Sequence, residues 1–168
     1  MDYTTAIQSK ILDRGPALEK LVHGWKFFSK KIVFTNGCFD LLHFGHLSYL
    51  AEAASLGNHL VIGLNSDASV SRLKGPERPI VPQNERAFAL ASLRFVSAVV
   101  IFEEDTPLEL IQEINPHIIT KGGDYNPDTV VGADYVRSHG GEVVILPFVP
   151  GFSSTRLIEK IRRTDGKI

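Results

Sequence analysis

The chain contains a single cysteine, Cys38, so no disulfide can form within it, and a reducing compartment fits that composition. It has no surplus of positive charge. Eighteen Lys and Arg against nineteen Asp and Glu leave a net charge of −1, which argues against a polynucleotide partner and for a small-molecule ligand. Every apolar run falls well short of the roughly 20 residues that a membrane helix needs. The opening MDYTTAIQSK has no apolar core of the kind a secretory leader carries. The expectation is therefore a cytoplasmic protein with no nucleic-acid and no membrane partner. Internal repeats and low-complexity tracts are also missing. So are a GxGxxG after a strand and a GxxxxGK[ST], which removes the redox-dinucleotide and P-loop readings. A length of 168 residues suits one domain around one core.

From residue 31 onward, short apolar runs alternate with helical patterns. KIVFTN (31–36), HLVIGLN (59–65), SAVVIF (97–102), HIITKG (117–122) and GEVVILPF (141–148) are continuous and rich in Val and Ile. Strands covered on both faces of a parallel sheet read this way. Amphipathic stretches at 45–56, 85–93, 107–114 and 154–161 separate or follow them. The alternation predicts an α/β, Rossmann-like, doubly wound domain over residues 31–168. Its mainly parallel five-stranded sheet would carry helices on both faces. Residues 1–30 read differently. Helical spacing over 3–12 and 16–28, broken at Gly15-Pro16, predicts a helical N-terminal extension. Ligands of doubly wound sheets bind beyond the carboxyl ends of the strands, so chemistry is expected in the loops that follow them.

The first strand runs into Gly37, and His43-Phe44-Gly45-His46 then opens a helix. Histidines at i and i+3 share one side of the first turn. The helix start offers free N–H groups and a partial positive charge to a phosphate, and Gly45 leaves room for it. Imidazole donors there can steady charge that develops during group transfer. Such a pair could also ligate zinc, or be surface or satisfied core. No third ligand stands at zinc-like spacing, and the placement after a strand and a glycine favours phosphate. A second strand-to-helix junction, Gly151 to Arg156, gathers Ser153, Ser154 and Thr155. One Ser would suffice as a helix cap, so the surplus hydroxyls suggest an anion cradle. Residues 71–82, with Arg72, Lys74 and Arg78 among Gly and Pro, read as a mobile charged loop able to close on phosphates. Arg86 and Arg94 read as ordinary surface ion-pair partners. The turn Lys121-Gly122-Gly123-Asp124 lies on the ligand side, where its amides could meet a base or ribose.

Taken together, FTNGCFDLLHFGHLSYL, NSDASVSRLKGPERPI, FEEDTPLELI, KGGDY and GGEVVILPF resemble the HxGH cytidylyltransferase-like nucleotidyltransferases over about residues 31–162. Within that group they look most like the adenylyltransferases of the ADP-heptose pathway, in the stand-alone form. The resemblance implies transfer of AMP from ATP to D-glycero-β-D-manno-heptose 1-phosphate, with Mg²⁺ riding on the triphosphate and no metal site of the protein's own. The product would serve lipopolysaccharide core synthesis, and a homodimer would be usual. It implies catalytic roles for His43, His46, Lys74 and Thr155. It also implies nucleotide contacts from Asn36, Gly37, Phe39, Gly45, Lys121, Gly122, Asp124, Ser153 and Ser154. The acceptor would meet Asp40, Asn65, Asp67 and Arg78. The C-terminal motif departs from the usual Ser-Thr-Thr, reading Ser153-Ser154-Thr155 here. Two alternatives stay open: a cytidylyltransferase for a polyol or amino-alcohol phosphate, and a non-catalytic nucleotide-binding domain.

Overall fold

The computed structural model describes residues 2–123, 125–147 and 151–164. Within these residues six strands form one sheet: β1 (Ile11–Leu12), β2 (Ile32–Gly37), β3 (His59–Asn65), β4 (Val96–Phe102), β5 (Ile118–Gly122) and β6 (Glu142–Leu146). The spatial order is β1-β4-β3-β2-β5-β6, and every pairing is parallel. The expected count of five is corrected by β1. Ile11 and Leu12, read from the sequence as the end of a helix, instead align with Val99 and Val100 of β4. Two residues are too few to show a strand period. Their conformation is set by the edge of β4, where the Lys10 carbonyl accepts from the Val99 N–H at 2.8 Å.

Among the described residues, eight α-helices pack around the sheet: α1 (Tyr3–Gln8), α2 (Pro16–Phe27), α3 (Phe44–Ser55), α4 (Asp67–Lys74), α5 (Gln83–Ala91), α6 (Leu108–Ile114), α7 (Ala133–Ser138) and α8 (Ser154–Thr164). One apolar layer joins Phe34, Val61, Val100 and Ile119 to α2, α6 and α7. The other joins Val33, Ile62, Val99 and Ile118 to α3 and α5. Alternate strand residues thus feed opposite cores, which is why the strands read as unbroken apolar runs. The N-terminal segment joins this packing, since Leu18 and Val22 of α2 are buried in the first layer. Residues 71–74, expected in a loop, form the last turn of α4, which stops where Gly75 takes φ 97°. Helix α7 had no sequence signal strong enough to find it.

From β2 the chain moves outward through β3 to β4, then returns to place β5 on the other side of β2. The reversal lies between β2 and β5, and their carboxyl ends, Asn36-Gly37 and Lys121-Gly122, flank the crevice that such a switch opens.

Candidate active site

The loop after β2 turns sharply at Phe39, which holds φ 44° and is almost fully buried. Its ring lies over Gly37, where an added Cβ would come within 3.0 Å of it, so the glycine makes room for the aromatic side chain. The ring also meets His46 edge-on at 5.3 Å between centroids. His43 is the N-cap of α3, and its Nδ1 accepts from the His46 N–H at 3.4 Å. The two imidazoles stack at 3.8 Å and 21°. Gly45 sits beneath Phe152: a Cβ there would lie 3.1 Å from the Phe152 Cβ and 3.2 Å from the His43 ring. Phe152 in turn leads into α8, where Ser153 Oγ accepts from the Arg156 N–H and Ser154 Oγ donates to the Leu41 carbonyl, both at 3.2 Å. The starts of α3 and α8 are thereby held side by side.

Two contiguous cavities follow. The first, about 270 Å³, is lined by Asn36, Gly37, Phe39, Lys121 and Gly122, with Cys38, Asp40 and Tyr125. The second, about 460 Å³, lies between the starts of α3 and α8 and is lined by His43, Gly45, Ser153 and Thr155. His46, Tyr49, Lys74 and Ser154 line both. Most of the residues singled out in the sequence for nucleotide contact or catalysis are thus brought together. Asp124 lies outside the described residues.

The electrostatics suit an anion. Burial, aided by the neighbouring His43 and Lys74 charges, pushes His46 down to about 4, so it is neutral at pH 7. His43 is also lowered by burial. Burial pushes Lys121 down to about 8, while its Nζ donates to Asn36 Oδ1 at 2.5 Å across the β2–β5 crevice. An unfolded lysine keeps its proton to about 10.4, so between pH 8 and that value the unfolded chain binds more protons here than the folded one. The burial penalty is complete below pH 8 and fades as pH rises. The parent should therefore gain stability relative to Lys121→Met between pH 8 and 10 in urea unfolding. Parallel pH curves for the two proteins would show that the lysine is not held in this state.

The acceptor residues expected from the sequence fare differently. The Asp40 carboxylate is committed to the loop that follows α4. It accepts from Arg78 Nε at 2.6 Å and from the Ile80 and Val81 N–H groups at 2.8 and 3.0 Å. Asp40 fastens that loop, and Arg78 is its ion-pair partner rather than a residue of either cavity wall. Asn65 and Asp67 line neither cavity. Both belong to a network around Arg86, whose side chain is fully buried and not, as expected, on the surface. Arg86 Nε donates to the Val81 carbonyl, Nη1 to those of Cys38 and Asn65, and Nη2 to Asp67 Oδ1 at 2.7 Å. The signal for its burial was present: Arg86 falls on the same helical face as Ala87, Leu90 and Ala91. Tyr49 was also missed. Its hydroxyl bridges Thr35 at 2.7 Å and Thr120 at 3.0 Å, tying α3 to β2 and β5 under the cavity floor. An aromatic residue on an apolar helix face carries no mark of that position.

The family profile described as cytidylyltransferase-like matches residues 34–160, which include both cavity-forming junctions. The chain belongs to the cytidylyltransferase-like family. It is a nucleotidyltransferase, and its paired histidines, Lys74 and serines line the second cavity. Among its relatives, the bifunctional protein HldE of Pelobacter propionicus is 56% identical over 153 residues, covering 91% of this chain and 31% of that protein. The bifunctional protein HldE of Magnetococcus marinus is 51% identical over 160 residues, covering 95% and 33%. The chain thus spans about a third of the length of these curated relatives. A solved lipopolysaccharide core biosynthesis protein from Thermoplasma volcanium superposes with a TM-score of 0.59 at 29% identity, covering 71% of this chain and 97% of that one. A pantoate–β-alanine ligase from Francisella tularensis, 14% identical with a TM-score of 0.57, shares the fold.

Proposed function

We propose that this cytidylyltransferase-like chain is an adenylyltransferase that moves AMP from ATP to D-glycero-β-D-manno-heptose 1-phosphate, releasing pyrophosphate. The observation that carries the reading is the stacked His43–His46 pair at the start of α3, which lines one cavity together with Lys74 and Ser154. The HldE relatives and the core-biosynthesis protein from Thermoplasma volcanium support the sugar branch.

In this reading the triphosphate lies along the starts of α3 and α8, where backbone N–H groups and serine hydroxyls receive it. An acceptor phosphate oxygen attacks the α-phosphorus in line, and the bond to the leaving pyrophosphate breaks. The attacking phosphate is already ionised at neutral pH, so no general base is required. The protein contributes positioning and charge stabilisation. Among the described residues, the one carboxylate lining the cavities is Asp40, and its oxygens are engaged by the loop. The residues therefore fit a Mg²⁺ held by phosphate oxygens and water, where it would offset charge on the triphosphate. Cytoplasmic location and a homodimer belong to the same proposal; among the described residues no helix is long and apolar enough to cross a membrane.

Pyrophosphate release with Mg²⁺, ATP and the β-anomer of the heptose phosphate, with CTP in parallel, tests it. Turnover with ATP and not with CTP is expected. Turnover with CTP and a polyol phosphate alone would move the chain to the cytidylyltransferase branch, and tight nucleotide binding without turnover would leave a binding domain.

A further inference from the structure

All six strands are parallel, so their amino ends share one edge of the sheet, opposite the cavities. At that edge α2 ends in Trp25-Lys26-Phe27, with Phe28 as its C-cap, followed by Ser29-Lys30-Lys31 before β2 begins. Phe27 is 83% and Phe28 70% exposed, and the two rings meet edge-on at 5.3 Å. Trp25 stacks on His59 at 4.1 Å and packs against the buried core, unlike the two phenylalanines. No Asp or Glu occurs between Glu19 and Asp40, a span that holds Lys20, His23, Lys26, Lys30 and Lys31. None of the lysines at 26, 30 and 31 is ion-paired with a described residue. Arg94, just before β4, and His117, just before β5, stand at the same edge, with Glu142 as the acid that opens β6. The negative end of the α2 dipole accounts for one cation near its last turn. It does not account for two bare phenylalanines among three lysines in a chain of net charge −1.

We propose that this edge is a peripheral contact for an anionic lipid surface, with Phe27 and Phe28 entering the headgroup layer and Lys26, Lys30 and Lys31 facing the lipid phosphates. A second copy is a poor occupant, because a two-fold contact would set lysines against lysines. Lysine is depleted at protein–protein interfaces, whereas lysine beside aromatic rings suits the boundary of an anionic bilayer. The expectation of no membrane partner rested on the lack of spanning segments, and a peripheral contact needs none. The cavities would then face away from the lipid.

The test is co-sedimentation of the 168-residue chain with vesicles of phosphatidylglycerol and phosphatidylethanolamine, and with phosphatidylcholine alone. Binding to the anionic vesicles alone, released at about 0.5 M salt, is expected, since screening shortens to a few ångströms there. Each lysine near such a surface contributes about fivefold, so Lys26→Gln/Lys30→Gln/Lys31→Gln should weaken binding about a hundredfold. Phe27→Ser/Phe28→Ser should also release the chain, while nucleotidyl transfer in solution stays at the parent rate in both variants. No binding at low salt, equal binding to phosphatidylcholine, or unchanged binding by both variants overturns the proposal. So does a chain that ignores vesicles but is retained on immobilised polyglutamate through these residues, which would assign the edge to an acidic protein.

Discussion

Replacing His46 by alanine should lower kcat by about 10²–10³-fold, and His43→Ala should do the same, with the KM for the nucleotide moving much less. Each imidazole can supply a hydrogen bond to a phosphate oxygen that gains charge as the transfer proceeds, and a lost donor of that kind costs about 2.7–4 kcal/mol in the transition state. In the proposed reaction the stacked geometry makes the two act together. Rings 3.8 Å apart cannot both carry charge cheaply, and burial holds His46 at about 4. The fold therefore presents His46 as a neutral imidazole at pH 7. His46 Nδ1 is buried without a partner among the described residues. The double variant should lose less than the product of the two single effects, because both rings serve the same developing charge. Pyrophosphate release under saturating substrates reads the effect, and thermal unfolding checks that the loss is chemical, since His46 also packs on Phe39. Near-parental rates in both single variants would remove the histidines from catalysis.

Arg86→Met should destabilise the chain by about 3–5 kcal/mol, a large part of the total for a domain of this size. The guanidinium joins the loop after β2 at Cys38, the end of β3 at Asn65, the strap before α5 at Val81, and the start of α4 at Asp67. Methionine approximates the volume but leaves three carbonyls without their donor, and each buried orphan costs about 1–3 kcal/mol. Arg86→Lys should fall between, because one ammonium cannot match a planar fork with five donors. The measure is the urea midpoint at unchanged slope. A shift worth under 1 kcal/mol would mean that water replaces the guanidinium readily. Because the residue fixes the Cys38 and Asp40 region of the cavity wall, the KM for the nucleotide should also rise.

Much of the fold could be read from the sequence because its pattern is local. Apolar runs of five to seven residues, interrupted by helical periods, leave little choice but a covered parallel sheet. What escaped was decided by distant partners. Ile11 and Leu12 become a strand because the edge of β4 is there to receive them. The site followed the same division. His43, Gly45 and His46 are legible because a helix start and a three-residue spacing fix where they point. Asp40, Asn65 and Asp67 stand near strand ends, as acceptor residues would, yet two are tied to Arg86 and the third to the 78–81 strap. Whether a carboxylate faces a ligand or a loop amide depends on residues some forty positions away, and no local pattern records that.

The strand order β1-β4-β3-β2-β5-β6 puts the earliest and the latest strands at the two outer margins of the sheet, with the cavities over its middle. Polypeptide grafted beyond the β1 margin would leave the mouth of the site clear. A layout of this kind behaves as a module, and relatives about three times its length contain a stretch that matches it.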